Sequence, residues 1–165
     1  MASRDGFDFR IDIDGLDDLL DELAQMPDDL SENLREGMTE YGLLLEEGAR
    51  ELVHYDGGDL ETSLEFQGLK VNGDSLEGAV GSESKYALRR HEEPYKPGTR
   101  DKYDNGVKFV RYYLNGRGRE THKKPKWRGL PAGRKFLERA MTATEKDFDE
   151  ILYEVHEKTI RGRSR

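Results

Sequence analysis

Apolar and charged residues alternate at the start of the chain and then change period. From residue 7 to residue 13, Phe or Ile occupies every second position, which is the repeat of a half-buried strand. Residues 16–26 place leucines at spacings of three and four, which predicts a short helix ended by Pro27. We therefore expect an N-terminal strand or arm over residues 1–14, followed by a helix.

Two later segments have the repeat of long amphipathic helices. The first is expected to start at Asp28 or Asp29, either of which can act as its cap, and the last has Pro131 near its start. Residues 161–165 form a basic tail that we expect to be frayed. Apolar stripes of this kind usually face a core. They consist of Leu30, Leu34, Met38, Tyr41, Leu45, Ala49, Leu52 and Val53 in the first helix and of Phe136, Leu137, Ala140, Met141, Thr144, Phe148, Ile151, Leu152 and Val155 in the last. The opposite face of the first helix carries Glu32, Glu36, Glu40, Glu47 and Arg50.

Turn signals divide the region between these helices. Asp56-Gly57-Gly58-Asp59 predicts a turn, and a helical turn is then expected to run into a strand over residues 60–71. Asn72-Gly73-Asp74 is a hairpin signal, and residues 76–80 supply the returning strand. A short helix is predicted over residues 86–92.

Charge and glycine dominate the segment that follows. Residues 107–114 predict one more strand, whereas residues 93–106 and 115–129 are expected to be loops because they are rich in glycine and charge and contain three of the five prolines. The order of elements predicts a single α+β domain over residues 1–165. We expect a mainly antiparallel sheet packed against two long amphipathic helices, with long basic loops and an enlarged loop region over residues 94–130 that contains one strand.

The composition indicates a soluble protein with a small core. Hydrophobic residues make up 34% of the chain and charged residues 38%, so long loops or subunit contacts are expected to supplement the core. The absence of Cys excludes disulfides and thiolate metal sites. Residues 1–10 lack the apolar segment of a signal peptide, and no apolar run is long enough for a membrane span. We therefore expect an intracellular protein without membrane contact.

The net charge of -8 is unevenly distributed. Residues 1–93 contain 8 Lys and Arg against 25 Asp and Glu, a net -17, whereas residues 94–165 contain 19 against 10, a net +9. Residues 94–135 alone hold 13 basic and 3 acidic residues. Such a chain can meet copies of itself head to tail, with the basic region on an acidic neighbour. The alternative is a solvated surface charge without a partner.

Residues with catalytic chemistry do not fall into a known arrangement. His54, Asp56 and Asp59 have no second His at ligand spacing, and the glycines between them explain the two Asp as turn formers. His91 does not begin a His-Glu-x-x-His motif, because residue 95 is Tyr. The chain also has no Gly-x-Ser-x-Gly or Gly-Lys-Ser/Thr sequence. We therefore expect no catalytic residue, no cofactor and no metal.

Residues 116–135 combine clustered positive charge with the single Trp of the chain. Phosphate neutralisation with base stacking would use such a set, and so would a subunit contact, in which Trp and Arg are favoured anchors. A third interpretation is a solvated loop whose Trp packs back on the core. We favour the subunit contact, because the overall acidity argues against a dedicated nucleic-acid module. The residues concerned are Arg117, Arg119, Lys123, Lys124, Lys126, Trp127 and Arg128.

Three ordered motifs between residues 30 and 155 resemble those of one protein family. Asp56-Gly57-Gly58-Asp59-Leu60-Glu61-Thr62-Ser63 is similar to its Asp-Thr-Gly-x-Leu-x-x-Ser stretch, with Gly57 where Thr is usual. Val80-Gly81, then Tyr86-Ala87 followed by Glu92, then Gly98-Thr99 resemble its second series, with a longer gap before Gly98. Pro131 ahead of Phe136-Leu137-Glu138-Arg139-Ala140 resembles the third. The family is that of the tail-completion, or tail-to-head joining, proteins of long-tailed phages, which include minor capsid and head–tail connector proteins.

The resemblance implies a structural virion protein without catalytic residues. It implies a homo-oligomeric ring of six or twelve copies at the head–tail neck, assembled in the host cytoplasm. Its partners would be the head connector or adaptor ring and the tail terminator or tail tube proteins, with packaged DNA close by. The chain departs from the family at Gly57 and in the enlarged segment 94–128, so contacts borne by these loops are not carried over.

The motif residues have two expected roles. Tyr86 and Glu92 join the basic residues as candidate contacts to a subunit or partner. The other motif residues are expected to specify the fold, and they are Asp56, Gly57, Gly58, Leu60, Ser63, Gly81, Ala87, Phe136, Leu137 and Ala140. Two other functions stay open: a nucleic-acid-binding module that uses residues 116–135, and an enzyme such as a nuclease or a peptidoglycan hydrolase.

Overall fold

The computed structural model describes residues 7–11, 28–72, 75–104, 106–114 and 117–162 of the 165-residue chain. The short helix expected over residues 16–26 and the turn residues Gly73 and Asp74 lie outside these ranges. The described elements are, in chain order, β1 (Phe7–Ile11), α1 (Asp28–Leu52), α2 (Asp59–Thr62), β2 (Leu64–Asn72), β3 (Ser75–Ser82), α3 (Ala87–Glu92), β4 (Thr99–Asp104), β5 (Val107–Leu114), β6 (Arg117–Gly118), α4 (Arg119–Lys123) and α5 (Phe136–Gly162).

The described strands form two antiparallel sheets, ordered β1-β3-β2 and β4-β5-β6. On the central strand β3, Val80 lies opposite Phe9 on one side and Phe66 on the other. Asn72 pairs with Ser75, which confirms both strands of the expected hairpin. The α+β class is confirmed, with two small sheets in place of the one that was expected.

The core lies between the two long helices and the first sheet. α1 packs against α5 on one side and against the β2–β3 hairpin on the other. The predicted stripes of both helices supply the core, and Leu52, Val53 and Phe136 are fully buried. The hydroxyl of Thr144 is buried among them, and its hydrogen bond to Ala140 O at 2.9 Å offsets the cost of burying a polar group.

Two segments expected to be loops contain regular structure. Residues 99–104 form β4, which pairs with β5, and residues 117–123 form β6 and α4. The loop prediction was wrong because β4 carries charge at most positions and has no alternating apolar face. Polar contacts hold this strand instead, since Asp101 accepts the Arg111 amide at 3.1 Å and Lys108 Nζ at 2.9 Å. The region over residues 94–130 therefore holds three strands and a short helix.

The helix ends also differ from the sequence-based expectation. α5 continues through Arg161, which was expected to be frayed but bonds Glu157 at 3.0 Å; residues 163–165 lie outside the described part. Pro131 precedes α5 and lies in the segment that leads to it. α1 already includes Asp28 and Asp29, so both belong to its first turn and neither precedes it as a cap.

Candidate functional site

The segment between α4 and α5 closes the C-terminal end of α1. A helix leaves its last carbonyl groups without partners, and its C-terminal end is negative, so a cation is stabilised there. Lys124 Nζ donates to Arg50 O at 2.6 Å and to Glu61 Oε2 at 2.9 Å. The Gly133 amide donates to Leu52 O at 2.7 Å. At this point the basic segment is an integral part of the fold.

Two polar clusters connect the second sheet and α4 to the chain that leaves α1. The Tyr55 amide donates to Thr121 Oγ1 at 3.0 Å, and Thr121 Oγ1 donates to Tyr55 O at 3.1 Å. Asp56 accepts a hydrogen bond from the Tyr112 hydroxyl at 3.2 Å and forms an ion pair with Lys102 of β4. Burial acts to raise the pKa of Asp56, but the bonded Lys102 ammonium holds it below its ordinary value.

Trp127 lies against α1. Its ring lies over Gly48, where an added Cβ would come within 2.6 Å of the ring, so a larger residue would displace it. The indole Nε1 donates to Glu47 Oε1 at 3.3 Å. Arg128 lies over the Trp127 ring at 4.9 Å and donates to Asp147 of α5 at 2.8 Å. This geometry matches the interpretation in which the Trp packs back on the core, and its contact to a subunit stays a prediction.

Most other cations of the basic segment also have partners within the chain. Arg117 donates to a backbone carbonyl at 3.3 Å, and Arg119 lies over an aromatic ring at 4.9 Å. Lys123 pairs with Glu120 at 2.8 Å. Lys126 is exposed and forms no ion pair with any residue that the structure describes. Much of the positive charge is therefore engaged within one subunit, which weakens the argument for nucleic-acid binding through residues 116–135.

The three sequence motifs, far apart along the chain, contact one another. Ser63 Oγ lies 2.6 Å from Ser82 Oγ, which joins the first motif to the strand that precedes α3. His91 packs edge-on against Phe136 with ring centroids 4.8 Å apart, which joins α3 to the start of α5. Burial is the main cause that lowers the pKa of His91. The motifs therefore meet around one end of α1.

The motif residues divide into a buried set and an exposed set. Gly57 and Gly58 adopt φ angles of 89° and 91°, which only Gly takes without strain, and this allows the sharp turn into α2. Tyr86 is 68% exposed, and Glu92 is exposed but bonds Lys135 Nζ at 2.8 Å. Leu60 and Ser63 are half-buried and Asp56 is exposed. The buried motif residues are Gly81, Ala87, Phe136, Leu137 and Ala140.

A basic groove is formed by α3, β4, β5 and the segment that joins α3 to β4. It is a cavity of about 260 Å³, and its wall includes His54, Arg90, Tyr95, Lys96, Arg100 and Tyr113 together with the ion pair between Arg89 and Glu93. An adjoining cavity of about 240 Å³ shares three of these residues and reaches the exposed Tyr86. The groove brings together aromatic and cationic side chains from these four parts of the chain and from the segment after α1, which carries His54.

His54 lies in the wall shared by both cavities. Burial, followed by the charges of Arg90, Arg117, Arg139 and Lys124, lowers the pKa of its imidazole from 6.5 to about 4. The ring is therefore neutral near pH 7. Its Nδ1 atom is buried and makes no hydrogen bond within the described part of the chain.

Three cations of the groove differ from most of the cations around it, which form salt bridges. Arg90, Lys96 and Arg100 form no salt bridge with any described carboxylate, and Arg100 reaches only its neighbouring carbonyl at 3.4 Å. Sequence analysis did not single them out, because Lys96 and Arg100 fall in the segment that was expected to be a loop. The excess of basic residues over residues 94–135 was the only signal for Lys96 and Arg100, and Arg90 lies outside that range in α3.

Comparison with known proteins found no relative: no family model, curated protein or solved structure matches this chain. Within the described residues, no group of three or more His, Asp or Glu is placed to hold a metal ion. Among the helices that the structure describes, none has both the length and the apolar character needed to cross a membrane.

Proposed function

We propose that this chain is a structural component of a viral head–tail neck, where copies form a ring that joins the head connector to the tail. The main support is the ordered set of three motifs that resembles those of tail-completion proteins. In the fold these motifs pack on one another through Ser63 and Ser82 and through His91 and Phe136. Mutual packing of this kind is what a set of fold-specifying motifs requires.

The ring would form by heterologous contacts, in which one surface of each copy meets a different surface of the next. The molecule offers two surfaces of opposite charge for such contacts, the outer face of α1 and the basic groove. The ring faces would meet the head connector or adaptor ring on one side and the tail terminator or tail tube proteins on the other.

An assembly assay tests the proposed function. Assembly of the encoding virus without this chain is expected to yield filled heads and free tails, and adding the purified chain is expected to join them. Electron microscopy counts joined particles, and mass spectrometry of purified virions shows whether the chain is retained. Efficient joining without the chain, or virions that lack it, would contradict the proposal.

A further inference from the structure

Three cations of the basic groove form no salt bridge within the described part of one subunit, whereas the fourth, Arg89, pairs with Glu93 at 2.7 Å. Arg90 is half-buried, whereas Lys96 and Arg100 are exposed, and all three line the same cavity of about 260 Å³. Around them, most cations are paired: Lys102, Lys108, Lys123, Lys124, Arg128 and Lys135 each bond a carboxylate. The groove wall also contains the carboxylate of Glu93, but Arg89 bonds it, so the three remaining cations give the groove a net positive charge that stabilises an anionic partner.

The outer face of α1 has the opposite property. Glu32, Glu36 and Glu40 follow one another at intervals of one helical turn, and all three are exposed. None forms a salt bridge with a residue that the structure describes. Leu43 lies on the same face and is 54% exposed, although it is a large apolar residue. We call these four residues the acidic stripe.

We infer that the basic groove binds the acidic stripe of a second copy of this chain. This inference rests on the proposed function, because it assigns the two surfaces of the heterologous ring contact. Carboxylates one helical turn apart, about 6 Å, match cations that line a single groove. The groove also offers apolar area from Tyr95 and Tyr113, against which Leu43 of the neighbour packs.

A second copy fits the groove better than a nucleic acid does. The cavity of about 260 Å³ takes the ends of a few side chains, whereas nucleic-acid binding uses an extended row of phosphate contacts. Two cations of the neighbouring basic segment, Lys124 and Arg128, are bonded within the subunit. An acidic partner surface is present on the same molecule, and the contact joins different surfaces, so it can propagate into a ring.

Charge reversal in the full-length chain tests the contact. The groove variant carries Arg90→Glu, Lys96→Glu and Arg100→Glu, and the stripe variant carries Glu32→Lys, Glu36→Lys and Glu40→Lys. Sedimentation velocity from about 5 µM to about 500 µM is expected to show self-association of the unchanged chain, weaker at about 0.5 M than at about 0.02 M NaCl. Each variant is expected to weaken it at least about tenfold, and the chain with all six changes is expected to recover it.

A matched control distinguishes the effect of the groove residues on self-association from the effect of net charge. Lys70→Glu, Lys146→Glu and Lys158→Glu change the charge by the same amount at exposed positions outside the groove, and self-association is expected to stay unchanged. Circular dichroism checks that every variant is folded. Because the stripe variant tests the same contact from the other surface, a misfolded groove variant does not remove the test.

Several results would overturn the inference. They are a monomer at every concentration, equal weakening in the control, or no recovery in the chain with six changes. Loss of binding to a short DNA duplex in the groove variant, with unchanged self-association, would assign the groove to nucleic acid. If the groove variant still forms rings, the proposed contact is wrong and the proposed function is unaffected. If purified virions lack the chain, the proposed function is wrong and the contact between copies is unaffected.

Discussion

The helical core and the basic region over residues 94–135 are held in place by different interactions. α1 and α5 bury continuous apolar stripes against each other, and Leu52 and Phe136 are fully buried. In β4 and β5, Tyr112 is the only buried residue among the side chains that the structure describes. Hydrogen bonds and ion pairs hold most of the basic region, each with a small net effect, and Trp127 and Leu130 pack against the core. The basic region is therefore expected to open locally at a lower free energy than the core.

The largest expected difference between the two regions comes from removing an aromatic ring in each. Phe136→Ala removes a fully buried ring that packs on His91, and we expect it to lower the free energy of unfolding by about 3 to 5 kcal/mol. Phe109→Ala removes a half-buried ring of β5 and is expected to cost about 1 kcal/mol. Urea unfolding of both variants measures the two costs, and equal costs would contradict the distinction between the regions.

Acid is expected to weaken the fold through His54, which lies where the two regions meet. The unfolded chain takes up a proton near pH 6.5, whereas the folded ring stays neutral to about pH 4. The free energy of unfolding therefore decreases as the pH falls from 6.5 to 4, by up to about 3 kcal/mol, and this contribution levels off below pH 4. Buried His91 acts in the same direction.

The variant His54→Gln isolates this effect. Urea unfolding at a series of pH values is expected to show a shallower decrease in the variant, with the remaining slope due to His91 and the carboxylates. An identical slope in the two proteins would show that His54 does not titrate as its burial predicts.

A smaller effect is expected where the basic region closes the end of α1. Lys124→Met removes the bonds to Arg50 O and Glu61 and leaves a partly buried carboxylate without its partner, at a cost of about 2 kcal/mol. Lys126→Met is the matched control, because Lys126 is exposed, and it is expected to change stability by less than about 0.5 kcal/mol. Thermal unfolding of the pair decides whether the cation at the helix end stabilises the fold.

The smallest change in global stability is expected from the ion pair between Lys102 and Asp56. Both groups are partly exposed, so Lys102→Met is expected to lower the free energy of unfolding by less than about 1 kcal/mol. Amide hydrogen exchange is expected to accelerate in β4 and β5 while α1 and α5 stay protected. Equal acceleration in the helices would mean that the hairpin and the core unfold as one unit.

Apolar periodicity predicts the core well and the basic region poorly, for a physical reason. The stripe from Leu34 to Val53 lies on one helix face, so its spacing reports burial directly. β4 is held by Asp101 and Lys102, whose partners are up to 46 residues away, so no local pattern reveals the strand. The acidic first part and the basic second part of the chain indicated a contact between opposite charges. Residue positions in the sequence do not show whether such a contact forms within one subunit, as between Lys124 and Glu61, or between copies.

The candidate site was only partly accessible to sequence analysis for the same reason. Tyr86 was singled out from its motif, and it borders the cavity that adjoins the basic groove. Arg90, Lys96 and Arg100 come together only when β4 pairs with β5 and α3 lies beside them. Whether a cation has a carboxylate partner depends on which residues the fold brings next to it, and a linear sequence does not show this.

Native mass spectrometry of the full chain, alone and mixed with a viral head connector ring, tests the proposed ring most directly. The claim that copies close into a ring predicts one discrete species at an integral multiple of 19.0 kDa, with the same number of copies across protein concentrations. A 19.0 kDa monomer under both conditions would contradict it.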